Sequence, residues 1–498
     1  LGSPTQNPEA AKMEKFQSIL RNVVFICFYF LTIRMFLISI TQSSTFLFLQ
    51  MAVVIFLSCL TAYRVTWATC AFISAVPMIS GIQMIGWLPG AKLIEIGFAS
   101  IFIVWLPKRI LCEQRQLGES DYIDNLADIF SFVVLLSMVF VLASWAPVDF
   151  LIDCLWRLKV GNINDPLFTF DAAWIILQGI FLFRIFKIES KVNLKYNTIV
   201  AVFLIHAITI IGFSLSQWVF SIKPLYFQGL YGIYLPFSDI HSYASYTLSL
   251  FFIFIFLGFK NKKYVIRYAN LLMAFLFLIF CIMTGSNSII LSFFSIALIL
   301  VFKYFNKKAV MLVGLIISAF VLLLFYVPSH IDDSSVPIIK RYSRILLLTK
   351  LKETQMSRFI LWERAWNMIK SYPLTGHGIG SYYRLSTFYQ NPNEKQNSGW
   401  KENTHNYFLQ IASEIGIIGL ILFLLILITT LYVGIMSMTK IEENKSLVMG
   451  LVLGAISYMI TMITGHPLLL SNQQFCFWFI IAAIGISSNM EYSILNTK

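Results

Sequence analysis

Charge is scarce in this chain: only 12% of its 498 residues are Asp, Glu, Lys or Arg, while 58% are hydrophobic and mean hydropathy is +0.77. That shortage excludes a water-soluble globular protein, because one core cannot hide so much apolar surface. Long polar stretches are equally scarce, and a large soluble domain does not fit between the apolar runs. The seven cysteines (27, 59, 70, 112, 154, 281 and 476) form no CxxC pair and no Cys/His metal spacing, which excludes a zinc ribbon and leaves them as small apolar fillers. No convincing internal repeat is present, which argues against the repeat architecture common in transporters. A cleavable signal peptide is absent too, so the first apolar run reads as an uncleaved anchor. Residues 1–12, LGSPTQNPEAAK, resemble a cloning remnant ahead of a start at Met13.

What is present is a succession of apolar runs near the roughly 18–20 residues that cross a bilayer as helix. They begin near Asn22, Thr45, Trp67, Leu93, Ile129, Ala172, Thr198, His241, Tyr268, Ile289, Ala309, Gly416, Leu447 and Phe475, the fourth and last being the weakest spans. The expected fold is therefore all-α and polytopic, with about fourteen transmembrane helices. Eleven fall in residues 13–327 and three in residues 405–498. A cytoplasmic N-terminus puts Arg184/Lys187/Lys191/Lys195, Lys260/Lys262/Lys263/Arg267 and Lys303/Lys307/Lys308 in successive cytoplasmic loops, as the positive-inside bias requires. The net charge of +13 thus reads as orientation rather than nucleic-acid binding.

The same count leaves residues 328–404 as one large extracytoplasmic loop, with both termini cytoplasmic. The loop holds eleven Lys/Arg against six Asp/Glu, a net of +5. A polyanionic ligand would explain these cations; a solvated basic surface or anionic lipid headgroups would as well. Within the loop, Ser357 can cap an amphipathic helix with Phe359, Leu361, Trp362, Ala365, Trp366 and Ile369 on its apolar stripe, ending before Pro373. Such a helix is expected to lie along the membrane surface. In PLTGHGIGS, Gly376, Gly378 and Gly380 permit a tight turn, and no soluble strand precedes them to make a dinucleotide site.

The loop ends on His405-Asn406 and runs through Glu414 into Gly416 and Gly419. Read singly, His405 and Asn406 make an interfacial cap and Glu414 a snorkelling carboxylate. The two glycines then share one helix face for close packing. Read together, His-Asn, nine residues, Gly-x-x-Gly resembles the signature of the O-antigen ligase and polymerase superfamily. The upstream Arg358-x-x-x-Trp362-x-x-Ala365 with PLTGHGIG resembles that family's other shared block, so the likeness covers roughly residues 358–431.

The resemblance implies a metal-independent glycosyltransferase of the bacterial inner membrane with a periplasmic active site and no cofactor. Its donor would be an undecaprenyl-pyrophosphate-linked glycan and its acceptor a hydroxyl of another glycan or of lipid A-core. Membrane lipids, and for a polymerase a chain-length regulator, would be the other partners. By the same resemblance His405 is the histidine that takes the acceptor proton or orients the reacting groups, the former a task suited to a residue type that titrates near neutrality. Arg358 is the arginine that holds the pyrophosphate, which its planar fork suits. Lys340, Arg341, Arg344, Arg364 and Asn406 are further candidates for substrate contact. Many members carry a Ser-Arg pair after the ninth span, whereas this chain reads Thr284-Gly285-Ser286-Asn287. Either Asn287 bonds what that arginine would have paired, or another cation such as Arg341 or Arg344 replaces it.

The span count tilts the reading toward a polymerase over a ligase, and a lipid-linked-oligosaccharide flippase is the alternative of another class. Arg34 and Glu95 lie in apolar runs near enough to helix ends to snorkel. Asp239, His241 and His466 sit at outer turns, either as caps or as sugar contacts.

Overall fold

The computed structural model describes residues 8–42, 46–87, 92–112, 121–145, 167–193, 196–220, 225–227, 230–260, 262–284, 351–391, 402–440 and 445–495, together with 286, 288–289, 291–293 and 295–296. It is an all-α membrane bundle. Its helices are α1 (Pro8–Gln42), α2 (Leu47–Tyr63), α3 (Val65–Ile85), α4 (Leu93–Pro107), α5 (Tyr122–Trp145), α6 (Phe168–Asn193), α7 (Tyr196–Phe220), α8 (Ile240–Lys260) and α9 (Tyr264–Thr284), then α10 (Leu351–Ser371), α11 (Tyr407–Lys440), α12 (Lys445–Ile463) and α13 (Ser471–Leu495). One small antiparallel hairpin, Leu225–Phe227 with Leu230–Gly232, precedes α8.

Among the described residues nine helices are long and apolar enough to cross a membrane. Helices α2, α4, α13 and the amphipathic α10 fall outside that set. At 17 and 15 residues, α2 and α4 rise only about 22–26 Å, less than a hydrocarbon core of roughly 30 Å. Helix α13 is long enough but opens on the polar run Ser-Asn-Gln-Gln. The tenth expected span is described only in part and the eleventh, near Ala309, lies outside the described residues.

The centre of the bundle is aromatic. Phe28 of α1 stacks on Phe181 of α6 at 3.9 Å and on Trp174 at 5.4 Å, and Phe102 of α4 meets the same cluster edge-on. Arg34 does not snorkel to a helix end: it is buried, and its guanidinium lies 4.0 Å over the Phe170 ring, where a cation gains from the ring quadrupole. Helices α8 and α12 approach most closely where Gly450 and Gly454 face backbone. A Cβ on Gly450 would come within 2.8 Å of Ile253 Cα, and Gly454 O accepts the Ser249 hydroxyl at 2.8 Å. Small residues four apart bring two membrane helices together in this way. The pairing fixes the start of α8 beside the end of α12.

Helix α10 already runs through residue 351, so Ser357 lies within it and does not cap its start. The helix ends at Ser371, two residues before Pro373, as that proline requires. Its buried face, with Ala365 and Met368, packs on Tyr382 and Leu385, while Phe359 and Trp366 remain exposed on the other side.

Candidate functional site

The site begins with a break in α11. Gly416 has φ 80° and ψ 177°, outside helical space, because the chain from α10 docks there. Ile417 N–H donates to Pro373 O at 2.8 Å, Gly378 N–H to Glu414 O at 2.7 Å and His377 N–H to Ser413 O at 3.0 Å. The two segments are so close that a Cβ on Gly416 would meet Leu374 O at 2.1 Å. Gly416 and Gly419 therefore do not share one helical face for helix packing; Gly416 is the seat of the glycine turn. Gly376, Gly378 and Gly380 all take positive φ (66°, 95° and 75°), as the tight turn demanded.

Glu414 is buried and does not snorkel. Its carboxylate accepts N–H groups from Gly380 (3.0 Å) and Tyr382 (3.2 Å) and the Gln410 amide (3.2 Å), tying the turn to α11. The turn is also fixed from below, since Thr169 of α6 donates to Ile379 O at 2.9 Å and Ile379 N–H donates to Ser137 of α5 at 2.9 Å. Thus the two segments that stand apart in sequence as separate motif blocks interlock in space.

About two turns before Glu414, Asn406 caps α11, its side-chain oxygen accepting Leu409 N–H at 3.1 Å. His405 just before it is held at φ 51°, the left-handed region that costs an ordinary residue roughly 1–2 kcal/mol. Surrounding bonds over-determine it. Thr404 Oγ1 donates to Asn406 O at 2.6 Å and accepts its N–H at 3.1 Å, and Tyr407 N–H donates to Gly465 O at 3.1 Å.

That last bond brings the α12–α13 turn alongside, and with it His466. The His405 and His466 rings are 4.8 Å apart, and the His241 ring lies 6.2 Å from His405 on the other side. His241 Nδ1 is 3.1 Å from Ser286 Oγ, so the end of α9 joins the group. Asp239 caps α8 through Ser242 N–H at 2.8 Å.

His405 Nε2 lies 2.7 Å from Glu402 Oε1. A nitrogen facing a carboxylate carries the proton and donates it, which leaves Nδ1 as the acceptor of the neutral ring. Nδ1 is buried and meets no partner among the described residues, and the same holds for Nδ1 of His466. Burial, with the charges of His405, His241 and Arg358 acting in the same direction and Asp239 against them, pushes His466 down to about 3, so it is neutral at ordinary pH. Arg358, partly buried on α10, feels Glu402: burial lowers its guanidinium and Glu402 acts to raise it. The cluster therefore unites a histidine of set orientation, the neutral His466 imidazole and a cation. A cavity of about 220 Å³ opens beside it, with His466 and Asn403 among its lining residues.

Of the residues singled out from sequence, Arg358 and His405 are brought together and Asn406 is used as a cap. Arg364 is 1% exposed and does not line the cavity. Lys340, Arg341, Arg344 and Asn287 lie outside the described residues. Glu402 escaped the sequence reading, although its place three residues before His405 was the available signal. Asp239, His241 and His466 were legible singly, as caps or sugar contacts at outer turns, and not as one group with His405.

No curated protein matches the chain. Residues 272–424, under a third of the chain, match the family model described as O-Antigen ligase, a stretch that contains Arg358, the glycine turn, Glu402 and His405 but not Asp239, His241 or His466. That match supports membership of the O-antigen ligase and polymerase superfamily, and with it a multi-pass membrane protein with a glycosyltransferase role in surface-polysaccharide assembly.

Proposed function

We propose that this protein moves a glycan from undecaprenyl pyrophosphate to an acceptor hydroxyl on the periplasmic side of the bacterial inner membrane, as a polymerase of O-antigen or a related surface polysaccharide. The acceptor oxygen attacks the anomeric carbon and its proton passes to His405 Nδ1. The bond from that carbon to the phosphate oxygen breaks, and the electron pair leaves with undecaprenyl pyrophosphate. Arg358 offsets the charge developing on that leaving group, and Glu402 keeps the imidazole in the accepting tautomer. One displacement of this kind inverts the anomeric centre. The observation that carries the reading is the buried Nδ1 of His405, without a partner among the described residues and oriented by Glu402 beside Arg358.

The description of the matching family favours a second reading, transfer of finished polymer onto lipid A-core. Purified protein given one lipid-linked repeat unit, with and without lipid A-core, separates the two. A ladder formed without core is expected for the polymerase, and a product that appears only with core means a ligase. Translocation of the lipid-linked glycan with no new glycosidic bond would overturn both in favour of a flippase.

A further inference from the structure

The cavity beside the histidines is lined by two kinds of side chain. Asp239, Ser242, Asn403, Gln410, Glu414 and His466 are polar; Phe168 and Ile176 of α6, Ile379 of the glycine turn and Leu469 and Leu470 are apolar. A pyranose ring has this same division, with hydroxyls on its edge and C–H groups on its face. At about 220 Å³ the space is below the ~300–1,000 Å³ of pockets that enclose drug-sized ligands, a size for one ring rather than an oligosaccharide.

Charge in the cavity is of one sign. Two carboxyl groups line it, Asp239 and Glu414, and among the described lining residues there is no lysine or arginine. Asp239 stays ionised at neutral pH: burial pushes its carboxyl up, but His241 and the hydrogen bonds from Ser242 hold it below its ordinary value. His466 is neutral and supplies no compensating charge at that pH. Asp239 Oδ2 is occupied by Ser242, which leaves Oδ1 to accept a ligand hydroxyl. The cation Arg358 is not among the lining residues.

We propose that this cavity is a glycosyl subsite that seats one pyranose ring and accepts an uncharged or amino-bearing sugar while excluding a uronic acid or other anionic ring. The assignment rests on the reading of the protein as a glycan transferase. It divides the substrate by charge, with the pyrophosphate at Arg358 and the sugar in the carboxyl-lined cavity.

The test uses full-length protein in lipid nanodiscs and saturation-transfer NMR with three methyl glycosides: a neutral hexose, a hexosamine and a hexuronic acid. The first two are expected to bind, with the uronic acid weaker by at least about tenfold, as two like charges in a partly buried site require. Asp239→Asn keeps the helix cap and is expected to close that gap to within about threefold. Equal or tighter binding of the uronic acid by the unaltered protein overturns the proposal. So does binding of none of the three, or a gap that survives both Asp239→Asn and Glu414→Gln. The transfer reading fails separately: selective sugar binding by a protein that forms no glycosidic bond sinks transfer and leaves the subsite, whereas transfer indifferent to a uronic acid sinks the subsite and leaves transfer.

Discussion

Helices α5 and α6 carry a different kind of polar chemistry at each end. At one end Arg184 pairs with Asp124 and, at 3.1 Å, with Asp128, which also takes Arg21 of α1 at 3.2 Å. Lys187 pairs with Asp121 and, at 3.1 Å, with Asp124, and Arg109 reaches Glu189 at 3.1 Å. About 20 Å away along the same helices, Ser137 and Thr169 hold the glycine turn beneath the histidines. At the first end buried charge meets opposite charge. At the second, ring nitrogens are buried with no partner among the described residues and a histidine is held at a strained φ. Paired charge fixes helices against each other, whereas unpaired polar atoms await a ligand. The comparison also revises the sequence reading, because Arg184 and Lys187, counted there as loop cations, are buried in ion pairs.

The comparison can be broken from either end. Arg184→Ala leaves three carboxylates, Asp121, Asp124 and Asp128, to two cations, Lys187 and Arg21, so unfolding in detergent should be easier by about 3–5 kcal/mol while the folded fraction keeps its transfer rate; a normal unfolding midpoint would remove the structural role. Arg358→Ala should do the reverse, losing about 10²–10³ in rate with the midpoint unchanged, as removal of one charge-stabilising donor does.

Acid should weaken the histidine end through His466. Its folded value of about 3 lies below the ordinary 6.5, so its contribution is complete above pH 6.5 and is lost as pH falls from there toward 3. The loss is about 1.4 kcal/mol per pH unit, or roughly 2 kcal/mol at pH 5, and His466→Asn should flatten this part of the stability profile. Asp239, with a lowered value, contributes above its ordinary 3.8 and loses that contribution only below it, outside this window. Smallest of the four, Glu402→Gln should slow transfer about tenfold by loosening the tautomer of His405 without changing the unfolding midpoint.

Much of this fold was legible because hydropathy period and length decide membrane helices locally. Nothing local assembled the histidines. Asp239, His241, His405 and His466 lie on three different turns, and each one alone has the sequence of a cap. Only Tyr407 N–H on Gly465 O and the close approach of α8 to α12 bring them together. Gly416 misled for a related reason: a glycine near a second glycine in an apolar run reads as a packing face, and the docked segment that makes it a break begins some forty residues earlier. Arg358 and His405 were recoverable because both lie in the block that resembles a known family; Glu402, three residues from His405, needed the geometry.

The account turns on His405, and the measurement that tests it most directly is the transfer rate of His405→Ala per folded molecule, with purified lipid-linked glycan and acceptor. Loss of about 10²–10⁴ in rate with an unfolding midpoint near that of the unaltered protein is the predicted result. Transfer at the unaltered rate by a folded His405→Ala protein would contradict it.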